Sequence, residues 1–100
     1  MKKLDLSRPK LLKRLGVELD LLMFAMTENG DGSYSLADEN EPVKSFDVLL
    51  RTVTEDPEYL FEFEDVSYTL AEQMVSYLEK ELNIQAEYLI PRSYEPQTLR

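Results

Sequence analysis

Val17-Glu-Leu-Asp-Leu-Leu-Met-Phe-Ala-Met-Thr-Glu-Asn-Gly-Asp-Gly-Ser-Tyr-Ser-Leu-Ala37 is the stretch on which the fold turns. Two readings compete for it. Leu12, Leu15, Leu19, Leu22, Met23 and Met26 share one face of a continuous helix over 8–27. Against that helix, Gly16 is a natural stop, and Asn29-Gly30-Asp31-Gly32 suits a tight turn between strands, because these residues accept positive φ. The hairpin is the better reading, with one strand from Val17 to Thr27 and a shorter one from Ser33 to Ala37.

Working outward, Ser7 reads as an N-cap, with Arg8 and Pro9 opening a helix that Gly16 closes. Its buried stripe would be Leu11, Leu12 and Leu15. Downstream, Phe46, Leu49, Leu50 and Val53 fall at helical spacing, so a helix is expected over 45–54. The β-branched run Thr52-Val53-Thr54 argues for a strand instead, and Asp56-Pro57 breaks the segment either way. Tyr59, Phe61 and Phe63 alternate with Leu60, Glu62 and Glu64, which predicts a half-buried strand. Thr69 and Glu72 form a capping box ahead of the stripe Leu70, Met74, Leu78 and Leu82, with Asn83 as a left-handed stop. Ile84, Ala86, Tyr88 and Ile90 alternate in a last strand over 85–90, which Pro91 ends.

Strand, helix and strand in that order make a βαβ unit, whose strands would run parallel within one sheet. The expected class is α+β: a small, mostly antiparallel sheet with a C-terminal βαβ unit and two or three helices packed on one face. The expected core is Leu15, Leu22, Phe24, Leu49, Leu50, Phe61, Phe63, Met74, Leu78, Ile84, Ala86 and Tyr88. Residues 1–90 read as a single globular domain and 91–100 as an extended C-terminal tail.

Composition narrows the chemistry. The chain has 100 residues, 43% apolar and 31% charged, which is globular rather than disordered. It has no cysteine and no histidine, so disulfides, thiol chemistry and the commonest general base and metal ligand are excluded. Its three glycines follow no phosphate-cradling pattern. No carboxylate pair stands out by an apolar setting that would split its two pKa values. An enzyme is not expected, and neither is a cofactor. Lys10, Lys13 and Arg14 interrupt any signal-like apolar core, and the longest apolar stretch, Leu21–Met26, cannot span a bilayer. A cytoplasmic protein is the expectation.

The net charge of −9 is unevenly spread, with residues 1–14 at +5 and residues 15–100 at −14. Such a body repels nucleic acid and anionic membranes, so neither is expected as a direct partner. The basic head is expected to be mainly solvated.

Residues 27–38 partly resemble a calcium-binding EF-hand loop. Asn29, Asp31, Gly32 and Asp38 stand at its third, fifth, sixth and twelfth positions, and Tyr34 at its apolar eighth. Thr27 replaces the leading aspartate, and Asp38 is too short for the bidentate glutamate. A hairpin turn accounts for the same residues, so no metal site is expected.

Glu55, Asp56, Glu58, Glu62, Glu64 and Asp65 place six carboxylates within eleven residues, interleaved with Tyr59, Phe61 and Phe63. Charge runs are usually solvated faces. The functional alternative is a dock for a basic partner, formed by Glu55, Asp56, Glu58, Tyr59, Glu62, Glu64 and Asp65. Tyr77, off its helical stripe, and Tyr94, near the C-terminus, are the further contact candidates. The expected function is a non-catalytic protein-interaction module: a small acidic regulator, adaptor or inhibitor that binds a basic protein surface. Self-association into a homodimer is compatible with it. The alternatives are an acidic nucleic-acid mimic that blocks a DNA-binding protein, and a small enzyme using carboxylate chemistry.

Overall fold

A computed structural model describes residues 4–92 and residue 94. The order of elements is α1 (Ser7–Arg14), β1 (Leu19–Glu28), β2 (Tyr34–Leu36), β3 (Ser45–Thr52), β4 (Tyr59–Val66), α2 (Tyr68–Leu82) and β5 (Ala86–Leu89). The architecture is α+β, with five strands and, among the described residues, two helices.

β1 is the organising strand. Along one edge it pairs antiparallel with the whole of β3, from Leu19 opposite Thr52 to Met26 opposite Ser45. Its other edge is shared: β5 runs parallel beside Leu21–Phe24, and β2 runs antiparallel beside Met26–Glu28. β4 pairs antiparallel with the far side of β3. The expected hairpin over 17–37 is therefore present. Gly32 takes the required positive φ of 88°, while Asp31 Oδ1 accepts hydrogen bonds from both the Ser33 N–H and the Ser33 hydroxyl.

The expected helix over 45–54 is instead the strand β3. Phe46, Leu49, Leu50 and Val53 fit a helical stripe, but Phe46, Val48, Leu50 and Thr52 fit the two-residue period of a strand equally well, and these four, with Ser45 at the strand's start, are the buried ones. Full-length pairing with β1 decides between the two periods. The βαβ unit needs a similar correction. β4 and β5 share one direction, but β3 and β1 lie between them, so α2 carries the chain across two strands rather than to a neighbour.

Both helices end as their residues dictate. Gly16, at φ 83°, closes α1 through the pair Gly16 N–H to Lys13 O and Val17 N–H to Leu12 O. Asn83 is left-handed at φ 53° and closes α2, as its sequence position suggests. The N-termini differ from expectation. Leu6, not Ser7, is the cap of α1, because Ser7 turns its N–H and hydroxyl back to Asp5. Ser67, not Thr69, caps α2, its hydroxyl accepting from the Leu70 N–H. The helix thus starts earlier, and its buried face is Ala71, Val75, Leu78 and Leu82 rather than the stripe through Leu70 and Met74.

The core lies between the helices and one face of the sheet, where Leu6 and Leu12 of the α1 region join Leu19, Leu21, Met23 and Ala25 of β1, Phe46, Val48 and Leu50 of β3, and the buried face of α2. Leu50 and Leu78 occupy it as expected. Leu15 does not, being 68% exposed beside the end of α1, and Tyr88 is also exposed. Phe61, Phe63, Met74, Ile84 and Ala86 are half-buried at its margin. Leu22, Phe24 and Leu49 lie outside this cluster altogether. Of the tail expected over 91–100, Pro91 is buried, and the Tyr94 ring packs on Phe46 and Tyr68 at centroid distances of 5.3 and 5.8 Å. Residues 95–100 lie outside the described residues. Among the described residues, no helix is long and apolar enough to cross a membrane.

Candidate interaction surface

Register along β4 divides its side chains between the two faces of the sheet. Phe61 stands opposite Leu50 and Phe63 opposite Val48, so both face the helices, with their rings stacked at 6.0 Å. Tyr59 stands opposite Arg51 and Glu62 opposite Leu49, so both face the other way, and Glu64 follows by alternation. The strand is irregular at two places, near Leu60 and between Phe63 and Val66. At the second, Asp65 adopts a φ of 57° and donates its N–H to Asp47 Oδ1.

The acidic segment is therefore not one cluster. Glu55 and Asp56 lie exposed in the turn before β4. Glu58 is turned toward α1, where Arg8 Nη2 and Nε donate to its two carboxylate oxygens at 2.7 and 3.0 Å. Those bonds hold the Glu58 carboxyl below its usual range and raise the Arg8 guanidinium. Glu62, Glu64 and Asp65 form a second group on β4. Tyr77 stands on α2, half-buried beside Leu6, Lys10 and Glu81, and Tyr94 packs into the aromatic group at Phe46. Both belong to the helical side, away from Glu62 and Glu64.

Three bases of the basic head, Arg8, Lys10 and Lys13, find partners, while Arg8, Lys10 and Arg14 stay exposed to solvent and Lys2 and Lys3 lie outside the described residues. Besides the Arg8 pair, Lys10 lies 3.6 Å from Glu81. Lys13 Nζ donates to the carbonyls of Leu82 and Asn83 at 2.6 and 3.2 Å, where the negative end of α2 attracts a cation. These contacts draw the positive charge of α1 toward the helical side. Glu62, Glu64 and Glu87 make no ion pair among the described residues.

The other face of the sheet is what sequence reasoning missed. Alternation and register bring Leu22, Phe24 and Met26 of β1 together with Leu49 of β3, Leu36 of β2 and Leu89 of β5. Leu22 is only 5% exposed in the middle, while Leu36 and Leu89, toward the margin, are 51% and 40% exposed. Among the described residues, neither helix packs over this face. Asp20, Glu28, Asp47, Glu62, Glu64 and Glu87 surround the apolar strip, and among the described residues the one base that register places on the same face is Arg51, 3.4 Å from Asp20. Near one end, Met26, Tyr34, Ser45, Asp47, Glu64 and Asp65 line a recess of ≈ 210 Å³. A signal for this face was present in the run Leu21-Leu22-Met23-Phe24-Ala25-Met26. Six apolar residues without alternation are the mark of a strand apolar on both sides.

The residues that partly resemble an EF-hand are committed to the hairpin. Asn29 donates through Nδ2 to the Ser33 hydroxyl, and Asp31 is held below its usual carboxyl pKa by its bonds from Ser33. Among the described residues, no group of three or more His, Cys, Asp or Glu is placed to hold a metal ion.

Comparison with known proteins finds no matching family model, no matching curated protein and no matching solved structure.

Proposed function

We propose that this chain is a non-catalytic protein-interaction module, a small acidic regulator, adaptor or inhibitor that binds a basic protein surface. The observation that carries the reading is the sorting of charge between the two sides of the sheet. Arg8, Lys10 and Lys13 of α1 are engaged on the helical side, while Glu62, Glu64 and Glu87 on the other face have no cation partner among the described residues. Carboxylates held on a rigid sheet steer encounter with a cationic partner and disfavour an anionic one.

The test is association kinetics with a lysine-rich peptide, measured by stopped-flow fluorescence at rising salt. The on-rate should fall as salt rises while the off-rate changes less, because exposed charges are screened over about 8–10 Å at ordinary ionic strength. Reversing Glu62 and Glu64 to lysine should slow association without unfolding the chain, since both side chains are exposed. Duplex DNA should not bind. A salt-independent on-rate, or saturable binding of DNA, would count against the reading.

A further inference from the structure

We infer that the sheet face opposite α2 is a docking surface for a basic amphipathic helix of a partner protein. The inference rests on the proposed binding of a basic protein surface, and it adds the place and the shape of the partner.

Three features define the site. The first is an apolar strip over which, among the described residues, neither helix packs. In a two-layer α+β fold, the helices bury one face of the sheet, and the other normally turns polar residues to solvent. Here β1 carries Leu22, Phe24 and Met26 on that second face, with Leu49 alongside and Leu36 and Leu89 flanking. The second feature is size. From Leu22 to Met26 the strand advances about 13 Å, the length of roughly nine helical residues, and strand spacing gives four strands abreast about 14 Å of width, enough for one helix of ~10 Å diameter. The third is the edge. A partner strand would add to β4, but β4 is irregular near Leu60 and at Asp65, where the backbone turns left-handed. Irregular edge strands are poor templates for a further strand, so the β4 edge bordering this face is a weaker docking place than the face itself.

Charge decides the occupant. Among the described strand residues that register places on this face, six acids against Arg51 give −5. A second copy of the chain would oppose one −5 face with another, and like charges so juxtaposed disfavour the pair. A helix with an apolar stripe and lysines or arginines along its flanks satisfies both requirements at once. Its stripe covers Phe24, Met26 and Leu49 around the buried Leu22, and its cations reach Glu62, Glu64 and Glu87. The recess lined by Met26, Tyr34, Asp47 and Glu64 is placed to take one long basic side chain, its stem on the apolar wall and its charge among the carboxylates.

The experiment uses the full chain and three labelled peptides of ~15 residues, long enough to cover the strip. One places leucine at helical spacing with lysine on the flanks. The second has the same composition in an order that destroys the stripe. The third keeps the stripe and replaces lysine with glutamate. Fluorescence anisotropy should show saturable binding of the first and at least tenfold weaker binding of the other two. The pair Leu36→Gln and Leu89→Gln should weaken the first peptide severalfold, with an unchanged thermal melt confirming the fold, since both side chains are largely exposed. Glu55→Gln with Asp56→Asn, in the turn away from the strip, should leave it unchanged.

Equal, salt-sensitive binding of both lysine peptides would overturn the apolar dock while preserving a basic partner. Failure of every lysine peptide to bind would remove both. A concentration-dependent dimer in sedimentation that Leu36→Gln and Leu89→Gln abolish would assign the face to a second copy and overturn the partner helix.

Discussion

Lys13 places its ammonium 2.6 Å from the carbonyl oxygen of Leu82, so a cation from the first helix closes the end of the second. The bond spans 69 positions of chain and is part-buried, which ties α1 to the body more specifically than its apolar contacts do. Replacing Lys13 by methionine keeps the aliphatic stem and removes the charge. We expect a loss of about 1 kcal/mol, the usual worth of a cation at a helix C-terminus. Faster amide exchange confined to the last turn of α2 would locate the effect. An unmoved melting midpoint would mean that water replaces the ammonium without cost.

Leu78 is fully buried and Leu15 is 68% exposed, although both were placed in the core by periodicity. Leu78→Ala should cost about 2–5 kcal/mol, the range for emptying a packed leucine site. Leu15→Ala should stay within about 0.5 kcal/mol, as surface changes usually do. Denaturant titration of both variants reads the contrast directly. Equal losses would put the helical layer in a different packing.

Two groups give the fold opposite responses to pH. The Glu58 carboxyl is depressed by Arg8, so the stability it contributes is present above the unfolded pKa and is lost as pH falls through the folded value. Glu58→Gln should therefore flatten the acid side of the stability profile. The Tyr68 phenol, desolvated by burial and donating to Glu72 at 2.9 Å, is pushed up to about 12. Its contribution is complete below the unfolded value of 10.0 and is lost as pH rises toward the folded one. The late part of a tyrosine absorbance titration, to which Tyr88 and Tyr94 also contribute because burial raises both, should shrink on Tyr68→Phe.

Calcium should leave the thermal midpoint unmoved at micromolar concentrations. Asp31 Oδ1 already accepts two bonds from Ser33, and the segment before the turn is a strand rather than an entering helix. A micromolar shift abolished by Asp31→Ala would require the turn to open around the ion.

Much of this architecture is legible in the chain, and the failures have physical causes. Asn29-Gly30-Asp31-Gly32 announces the hairpin because few residues tolerate its backbone angles, and Asn83 ends α2 for the same reason. Local geometry is enough in both cases. β3 misleads because Phe46 and Leu50 fall on a helical stripe and on a two-residue period at once, and only its distant pairing with β1 selects one. The candidate surface is harder still. Leu22, Phe24 and Leu49 were assigned to the core because hydrophobicity reports a preference for burial without naming what does the burying. The acids of 55–65 are conspicuous as a run, yet the alternation of β4 and the pull of Arg8 send Glu58 and Glu62 in different directions.

The central position of β1 also sets the order in which the molecule can be assembled. Its partners are distant in the chain, β3 some twenty-five positions and β5 more than sixty positions further on. The most hydrophobic segment of the chain therefore waits for almost the whole of its length before both edges are paired. Long-range pairing of this kind slows folding and leaves the waiting strand open to wrong associations. Without β5, β1 would keep the edge at Leu21–Phe24 unpaired, so this four-residue strand completes the pairing of the sheet's central strand.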